Sequence, residues 1–313
     1  EPYDDSGHGT HVTRLIGGKG KLSHDEYEGA ASDAKFVGIK VLDGNGAGYT
    51  SDVLAGLEYV IANNKQLKVD VINMSLGHPI FEPAATDPLV LAVERAVADG
   101  IVVVTSAGNM GMHPETGEVG YAGISSPGNA PSAITVGSVD LHYTAQRADD
   151  TVGAYSSRGP TWYDGFAKPD LVAPGHQLAA AAALQSSLYQ NNPNLHVAAT
   201  NPPAPKKGQE ADSRPRYLRL TGTSMAAGVT TGVVALMLDA ADDRKVASSY
   251  DEKVLGLLNT AEDDSVVEAF ASGDQVEVID AQNPDQTIDV ERLPPPADTE
   301  EVLAEIAEMR QAL

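Results

Sequence analysis

The sequence predicts an α/β fold: a mostly parallel central sheet with helices on its faces. Three observations predict it. Strand-like apolar runs alternate with amphipathic stretches of helical period between residues 36 and 139. Two of those runs end in small polar clusters, Asn73-Met-Ser75 and Ser106-Ala-Gly-Asn109, where a parallel sheet collects its ligands at the carboxyl ends of its strands. And a chain of 313 residues that is 42% hydrophobic can bury a large core.

In chain order, Phe36 to Leu42 reads as a buried strand. Ser51 to Asn63 reads as a helix, with Val53, Leu54, Leu57, Val60 and Ile61 on one face. Val69 to Met74 is a strand, Pro88 to Asp99 a helix, Ile101 to Thr105 a strand and Ala133 to Val139 another. Residues 185–216 carry Asn191-Asn-Pro and Asn201-Pro-Pro-Ala-Pro and read as a long surface insertion. Val229 to Leu238 is apolar with small residues between, a helix opening just after Ser224. Beyond Thr260 the pattern weakens. Pro294-Pro-Pro is a stiff linker, and Thr299 to Leu313 a short helix with Val302, Leu303, Ile306 and Met309 as its apolar positions. From Asp239 onward twenty acidic residues face five basic ones, the balance of a solvated surface or tail. The expected division is a domain over 1–262 and an acidic extension of unknown role over 263–313.

The formal net charge of −23 argues against nucleic acid or an anionic membrane as partner. No stretch approaches ~18 uninterrupted apolar residues. The absence of cysteine excludes disulfides and thiol-based sites without deciding the compartment. The chain opens on Glu1-Pro-Tyr-Asp, inside what reads as a motif, so its beginning is expected to lie within a longer protein.

Chemistry concentrates at Ser224. In Gly222-Thr-Ser-Met-Ala-Ala-Gly228 the serine stands where a helix begins, with an exposed hydroxyl and a free N–H at the positive end of the helix dipole. A nucleophile attacking a carbonyl needs both, because the developing oxyanion must find donors in place. A simple helix N-cap uses the same residue types. Asp5-Ser-Gly-His8-Gly-Thr-His11-Val and Thr105-Ser-Ala-Gly-Asn109-Met-Gly supply a histidine and an amide. His8 and His11 are three apart, whereas a helical zinc pair is spaced by four with an adjacent Glu, so no metal site is expected. The loop Gly44-Asn-Gly-Ala-Gly48 lacks the spacing of a phosphate cradle.

These three segments, in this order, resemble the His, oxyanion-Asn and Ser motifs of the subtilisin-like serine proteases, the subtilases. The resemblance extends through Val71-Ile-Asn-Met-Ser-Leu-Gly77, Ser125 to Gly137, Tyr155-Ser-Ser-Arg-Gly-Pro-Thr161 and Lys168-Pro-Asp-Leu-Val-Ala-Pro-Gly175, and covers residues 4 to 262. It implies a three-layer α/β/α sandwich and a serine endopeptidase working through an acyl-enzyme, with Ser224 as nucleophile, His8 as base and Asn109 beside the Ser224 N–H in the oxyanion hole. It also implies that Ser75, Leu76 and Gly77, with Gly46, Ala47 and Gly48, flank an extended substrate. Ala107, Gly108 and Asn109 would form the facing wall of a pocket for large apolar or aromatic side chains, with Met110 leaving no charge for lysine. Ser157-Arg-Gly-Pro160 and Lys168-Pro-Asp170 are read as structural turns and strand ends. No cofactor is implied; structural calcium, which many subtilases carry, is not placed. The implied partner is a protein or peptide substrate, with neither nucleic acid nor membrane, for a secreted monomer (a cytoplasmic one being the alternative).

The chain departs from the family pattern in three places. The triad carboxylate ends a strand upstream of the His motif, yet only seven residues precede His8; Asp4 and Asp5 are not assigned the role, and the sheet is expected to be one member short. Such a chain is expected to lose at least ~10⁴ in rate against one carrying the strand. Gly228 stands where the family has proline, loosening the helix by up to ~1 kcal/mol. The closing segment of the domain is not found. Two other readings stay open: an inactive or truncated protease-like fold that only binds peptides, and a metal hydrolase. A serine-reactive fluorophosphonate and a chelator separate the three.

Overall fold

The computed structural model describes residues 3–204 and 214–243 and the pairs 278–279 and 287–288. Two compact units divide at Lys253 and Val254. The first runs α1 (His8–Gly17), α2 (Thr50–Leu67), β1 (Val71–Met74), α3 (Pro88–Ala98), β2 (Val102–Ser106), β3 (Ile134–Asp140), β4 (Thr151–Val152), β5 (Leu171–Pro174), β6 (Leu178–Ala181), α4 (Ser187–Asn191), β7 (His196–Val197), β8 (Tyr217–Leu220) and α5 (Thr223–Asp243). Within the second, β9 (Val278–Ile279) pairs antiparallel with β10 (Thr287–Ile288). The linker at Pro294 and the helix expected over 299–313 lie outside the described residues.

Among the described residues the main sheet has five strands: β1, β2, β3 and β5 run parallel, and β4 pairs antiparallel with the end of β3. Parallel strands covered on both sides read as continuous apolar runs, and Ile101 to Val104 are indeed fully buried. One face is covered by α2 and α3, whose Val53, Leu57, Leu89, Val90, Val93 and Val97 join Met74 and Val103 in one core. Asp87 starts α3 by accepting the Leu89 and Val90 N–H groups, with Pro88 following. The other face is covered by α5, with α1 packed on it. That is the three-layer α/β/α sandwich.

The α1–α5 contact explains Gly228. A Cβ there would approach Val12 Cγ1 to 3.2 Å, and one at Gly232 would meet Ile16 O at 2.9 Å and Ala30 Cβ at 2.7 Å. The small residues at this spacing let the two backbones approach. α5 is long and apolar enough to cross a membrane by length and composition, but half of that stretch is buried inside the fold, as in a core helix.

Phe36 to Leu42 forms no strand, which corrects the sequence reading. Phe36, Val37 and Ile39 are 46%, 46% and 40% exposed, and only Val41 reaches the core. An apolar run becomes a strand only when a ladder partner is in reach. The described ladder of β1 pairs it with β2 alone, and Lys40 is drawn instead to Asp5 and the Leu42 carbonyl.

The described residues of the stretch 185–216 are more than a surface loop. They contribute α4 and β7, and β7 pairs with β8, which pairs with β6 in a separate antiparallel sheet. Tyr189 is buried there, donating to Pro215 O at 2.7 Å and stacking on His196 at 3.9 Å.

Candidate active site

Ser224 occupies the first turn of α5, just past Gly222. Its N–H has no partner among the described residues, as expected of a helix's leading donors. Its Oγ lies 3.4 Å from Ser75 O, too far for more than a loose bond, so the hydroxyl is free to turn. Ser75 holds the turn from below: its Oγ donates to Ser224 O at 2.8 Å and accepts from Asn73 Nδ2 at 3.0 Å. Asn73 Oδ1 in turn accepts from Thr231 Oγ1 at 2.9 Å. The hydroxyl of Ser75 is thus committed to α5, which leaves its backbone for any ligand.

Asn109 follows the end of β2 through Ala107 and Gly108. Gly108 has φ +104°, and a Cβ there would meet Ser125 Oγ and Ser157 Oγ, each at 2.9 Å, so the turn that aims Asn109 requires glycine. Asn109 Oδ1 accepts from Thr223 N at 3.0 Å and from Thr223 Oγ1 at 3.1 Å. Thr223 Oγ1 in turn accepts from Gly108 N at 3.2 Å. These bonds cap α5 and assign the amide, because a backbone N–H can only meet the oxygen. The Asn109 NH₂ is therefore left as a donor beside the free N–H of Ser224.

Two predicted pocket walls meet through Ser125 and Ser126. Ser125 N donates to Ala107 O at 3.0 Å, while Ser126 exchanges bonds with His78 at 2.9 and 3.0 Å, next to Gly77. Ala107 itself is fully buried, and Met110 is 67% exposed at the rim. Gly46 to Gly48 belong to a turn closed by Asp43 N to Ala47 O at 2.7 Å. The turn is fixed beside residues 5 and 6: Ser187 Oγ bonds Gly44 O, and a Cβ at Gly44 would lie 3.5 Å from the Asp5 carboxylate.

His8 is the first residue of α1. The helix register locates it. Val12 faces Gly228 and Ile16 faces Gly232, and carrying the same register one turn earlier would set His8 opposite Ser224. The ring's pKa is lowered by burial, an effect that the negative charge of Asp4 partly offsets. Asp4 is not its orienting partner: its two oxygens accept from Gly7 N and Thr10 N, each at 2.7 Å, and so cap α1. Asp5 is paired with Lys40 at 2.7 Å. Among the described residues no carboxylate hydrogen-bonds His8.

His11 is fully buried, and its Nε2 lies 3.1 Å from Leu178 O and 3.0 Å from Leu218 O. Two carbonyls require a proton on Nε2, so Nδ1 is bare and has no partner. Burial lowers its pKa to about 4. His11 thus ties α1 to β6 and β8 and does no proton transfer. Lys168 is likewise structural, with Nζ buried against Ala133 O and Asp170 Oδ2, both at 2.8 Å.

Sequence reading missed Thr223 as the residue that orients Asn109, Asp4 as the cap of α1, and Ser125 as the tie between the pocket walls. Thr223 and Ser125 stood inside motifs already quoted, but their partners lie far off in sequence.

Comparisons with known proteins place the chain in a family. The profile of the subtilase family matches residues 1–278. The chain is similar to Serine protease AprX of Bacillus subtilis (strain 168), 37% identical over 248 residues, covering 78% of this chain and 51% of that protein. Subtilisin E of the same strain is 39% identical over 175 residues, 56% of this chain and 38% of that one. A cold adapted subtilisin-like serine proteinase of known structure superposes with a TM-score of 0.51 at 28% identity, covering 76% of this chain and 63% of that chain. This chain therefore spans about half the length of AprX and less of Subtilisin E.

Proposed function

This chain belongs to the subtilase family, and from that premise we propose that it is a serine endopeptidase cleaving protein or peptide substrates through an acyl-enzyme. One observation carries the reading: Asn109 Oδ1 is taken by Thr223, the residue before Ser224, which leaves the amide NH₂ to donate elsewhere, while the Ser224 N–H has no partner among the described residues. A structural N-cap would need only the oxygen. The pair of donors serves an oxyanion.

In the proposed mechanism His8, neutral, accepts the Ser224 Oγ proton as the oxygen attacks the scissile carbonyl. The carbonyl oxygen becomes an oxyanion between Asn109 Nδ2 and Ser224 N–H. As the tetrahedral adduct collapses, His8 returns the proton to the leaving nitrogen, and the acyl group stays on Ser224. Water, deprotonated by His8, then releases the acid. The substrate's backbone lies along Ser75 to Gly77 and Gly46 to Gly48, with an apolar side chain between Ser75–Gly77 and Ala107–Asn109. Secretion is the compartment we propose, in keeping with the acid-rich chain.

The test is labelling with a fluorophosphonate, followed by hydrolysis of a peptide library. Label on Ser224, lost in Ser224→Ala and indifferent to chelator, is the expected result, with cleavage after large apolar residues. Peptide binding without label would favour an inactive binding fold, and cleavage dominated by Lys or Arg would remove the pocket assignment.

A further inference from the structure

A second cleft adjoins the catalytic turn. It has a volume of about 470 Å³ and is lined by the end of β8, by Gln177, and by Asn194 to Val197 from the segment that reads in sequence as an insertion. Its floor, Arg219 to Thr221, runs directly into Gly222, Thr223 and Ser224. Thr221 Oγ1 accepts from Gln177 N at 2.9 Å, which fixes the rim next to the nucleophile.

The strand that floors the cleft, β8, is tied to α1, the helix that carries the proposed base, through His11. Ser75 flanks the nucleophile on one side, with its carbonyl 3.4 Å from Oγ. On the other side stands α1, with His11 gripping the carbonyls of Leu178 in β6 and Leu218 in β8. The base hands its proton to the leaving nitrogen, so the leaving half of a substrate departs over the end of β8. The β7–β8 ladder pairs only Tyr217 and Leu218 with β7, so the next residues of β8 keep an open edge along which an extended peptide can lie.

The charge in this cleft runs against that of the molecule. In a chain of net charge −23, no carboxylate lines it, and Arg219, exposed, has no ion pair among the described residues. Asn194, Gln177 and Thr221 add neutral polar groups, and His196 is held by a bond from its Nε2 to Tyr189 O at 2.8 Å. We propose that this cleft binds the leaving half of the substrate and that Arg219 selects an Asp or Glu side chain among the first three residues after the scissile bond. The proposal rests on the peptidase reading above and names a specificity that reading leaves open.

The experiment uses the full chain and internally quenched peptides with one constant apolar acyl half. The leaving half carries Glu, Gln or Lys at each of its first three positions in turn. An exposed ion pair yields up to about fivefold, so kcat/KM should fall in the order Glu, Gln, Lys at one position, by about that factor per step at low salt. Molar salt should flatten the order, and Arg219→Glu should reverse it. The same peptides are measured for binding to Ser224→Ala by fluorescence anisotropy. Cleavage with no charge preference, or a preference that Arg219→Glu leaves intact, overturns the subsite while the peptidase reading stands. Charge-ordered binding without any cleavage by the wild type keeps the subsite and counts only against the activity of this chain, which lacks the carboxylate strand. Neither cleavage nor binding overturns the subsite as well.

Discussion

Replacing Asn109 by Asp separates the two jobs of this side chain. Its oxygen accepts from Thr223 N at 3.0 Å and Thr223 Oγ1 at 3.1 Å, holding the start of α5, while its NH₂ is the proposed oxyanion donor. Aspartate keeps the shape and the acceptor, and its charge suits a helix N-terminus, so folding stability should hold within ~1 kcal/mol. The donor, however, becomes a carboxylate oxygen that repels the oxyanion. Loss of a single such donor costs ~2.7–4 kcal/mol of transition-state binding, or ~10²–10³ in kcat; that range was established on subtilisin itself and is carried over from a relative. Repulsion comes on top, so kcat for Asn109→Asp should fall by at least ~10³. Asn109→Ala should instead lose ~10²–10³ in kcat together with ~1 kcal/mol of stability, because the first N–H of α5 loses its cap. The assay is steady-state hydrolysis of an apolar chromogenic peptide, with Ser224→Ala as blank, alongside urea unfolding of each variant. An Asp variant within tenfold of wild type would refute the oxyanion role and leave Asn109 a cap only.

Two further expectations concern pH. Burial lowers the His8 pKa below its ordinary 6.5, so activity should rise with pH through a midpoint more acid than that value; Asp4→Asn, which removes an opposing charge, should move the limb further into acid. A limb centred above neutrality in the pH profile of kcat/KM would contradict this. For His11 the ring is neutral when folded, with a pKa of about 4, while the unfolded chain takes up its proton near 6.5. The unfolded state therefore binds more protons between those values, so stability is full above pH 6.5 and falls as pH drops toward 4, by ~3 kcal/mol from this residue alone. Urea unfolding against pH should show a steeper acid loss for wild type than for His11→Gln, and parallel curves would rule out the buried neutral ring.

The sequence by itself determined the α/β class, because continuous apolar runs followed by helical periods are the local signature of strands buried on both faces, as Ile101 to Val104 and the Val53–Ile61 helix are. It also determined the residue types of the site: a serine at a helix start, an asparagine after a strand and a histidine beside a glycine are each readable within a few positions. Tertiary structure alone decided what those residues do to one another. The Asn109 amide is held by Thr223, 114 residues away, and the close approach of α1, which carries His8, to α5, which carries Ser224, follows from the small residues Gly228 and Gly232. Pairing was equally out of reach. Phe36 to Leu42 is as apolar as a strand but lies unpaired, since hydrogen-bond partners across a sheet are chosen by packing rather than by composition. The Pro-rich stretch after residue 185 carried no strand signal, yet Tyr189, stacked on His196 and bonded to Pro215, folds it into the wall of the cleft beside Ser224. Local pattern records what each residue prefers, while a site depends on distances between residues that only the closed core sets.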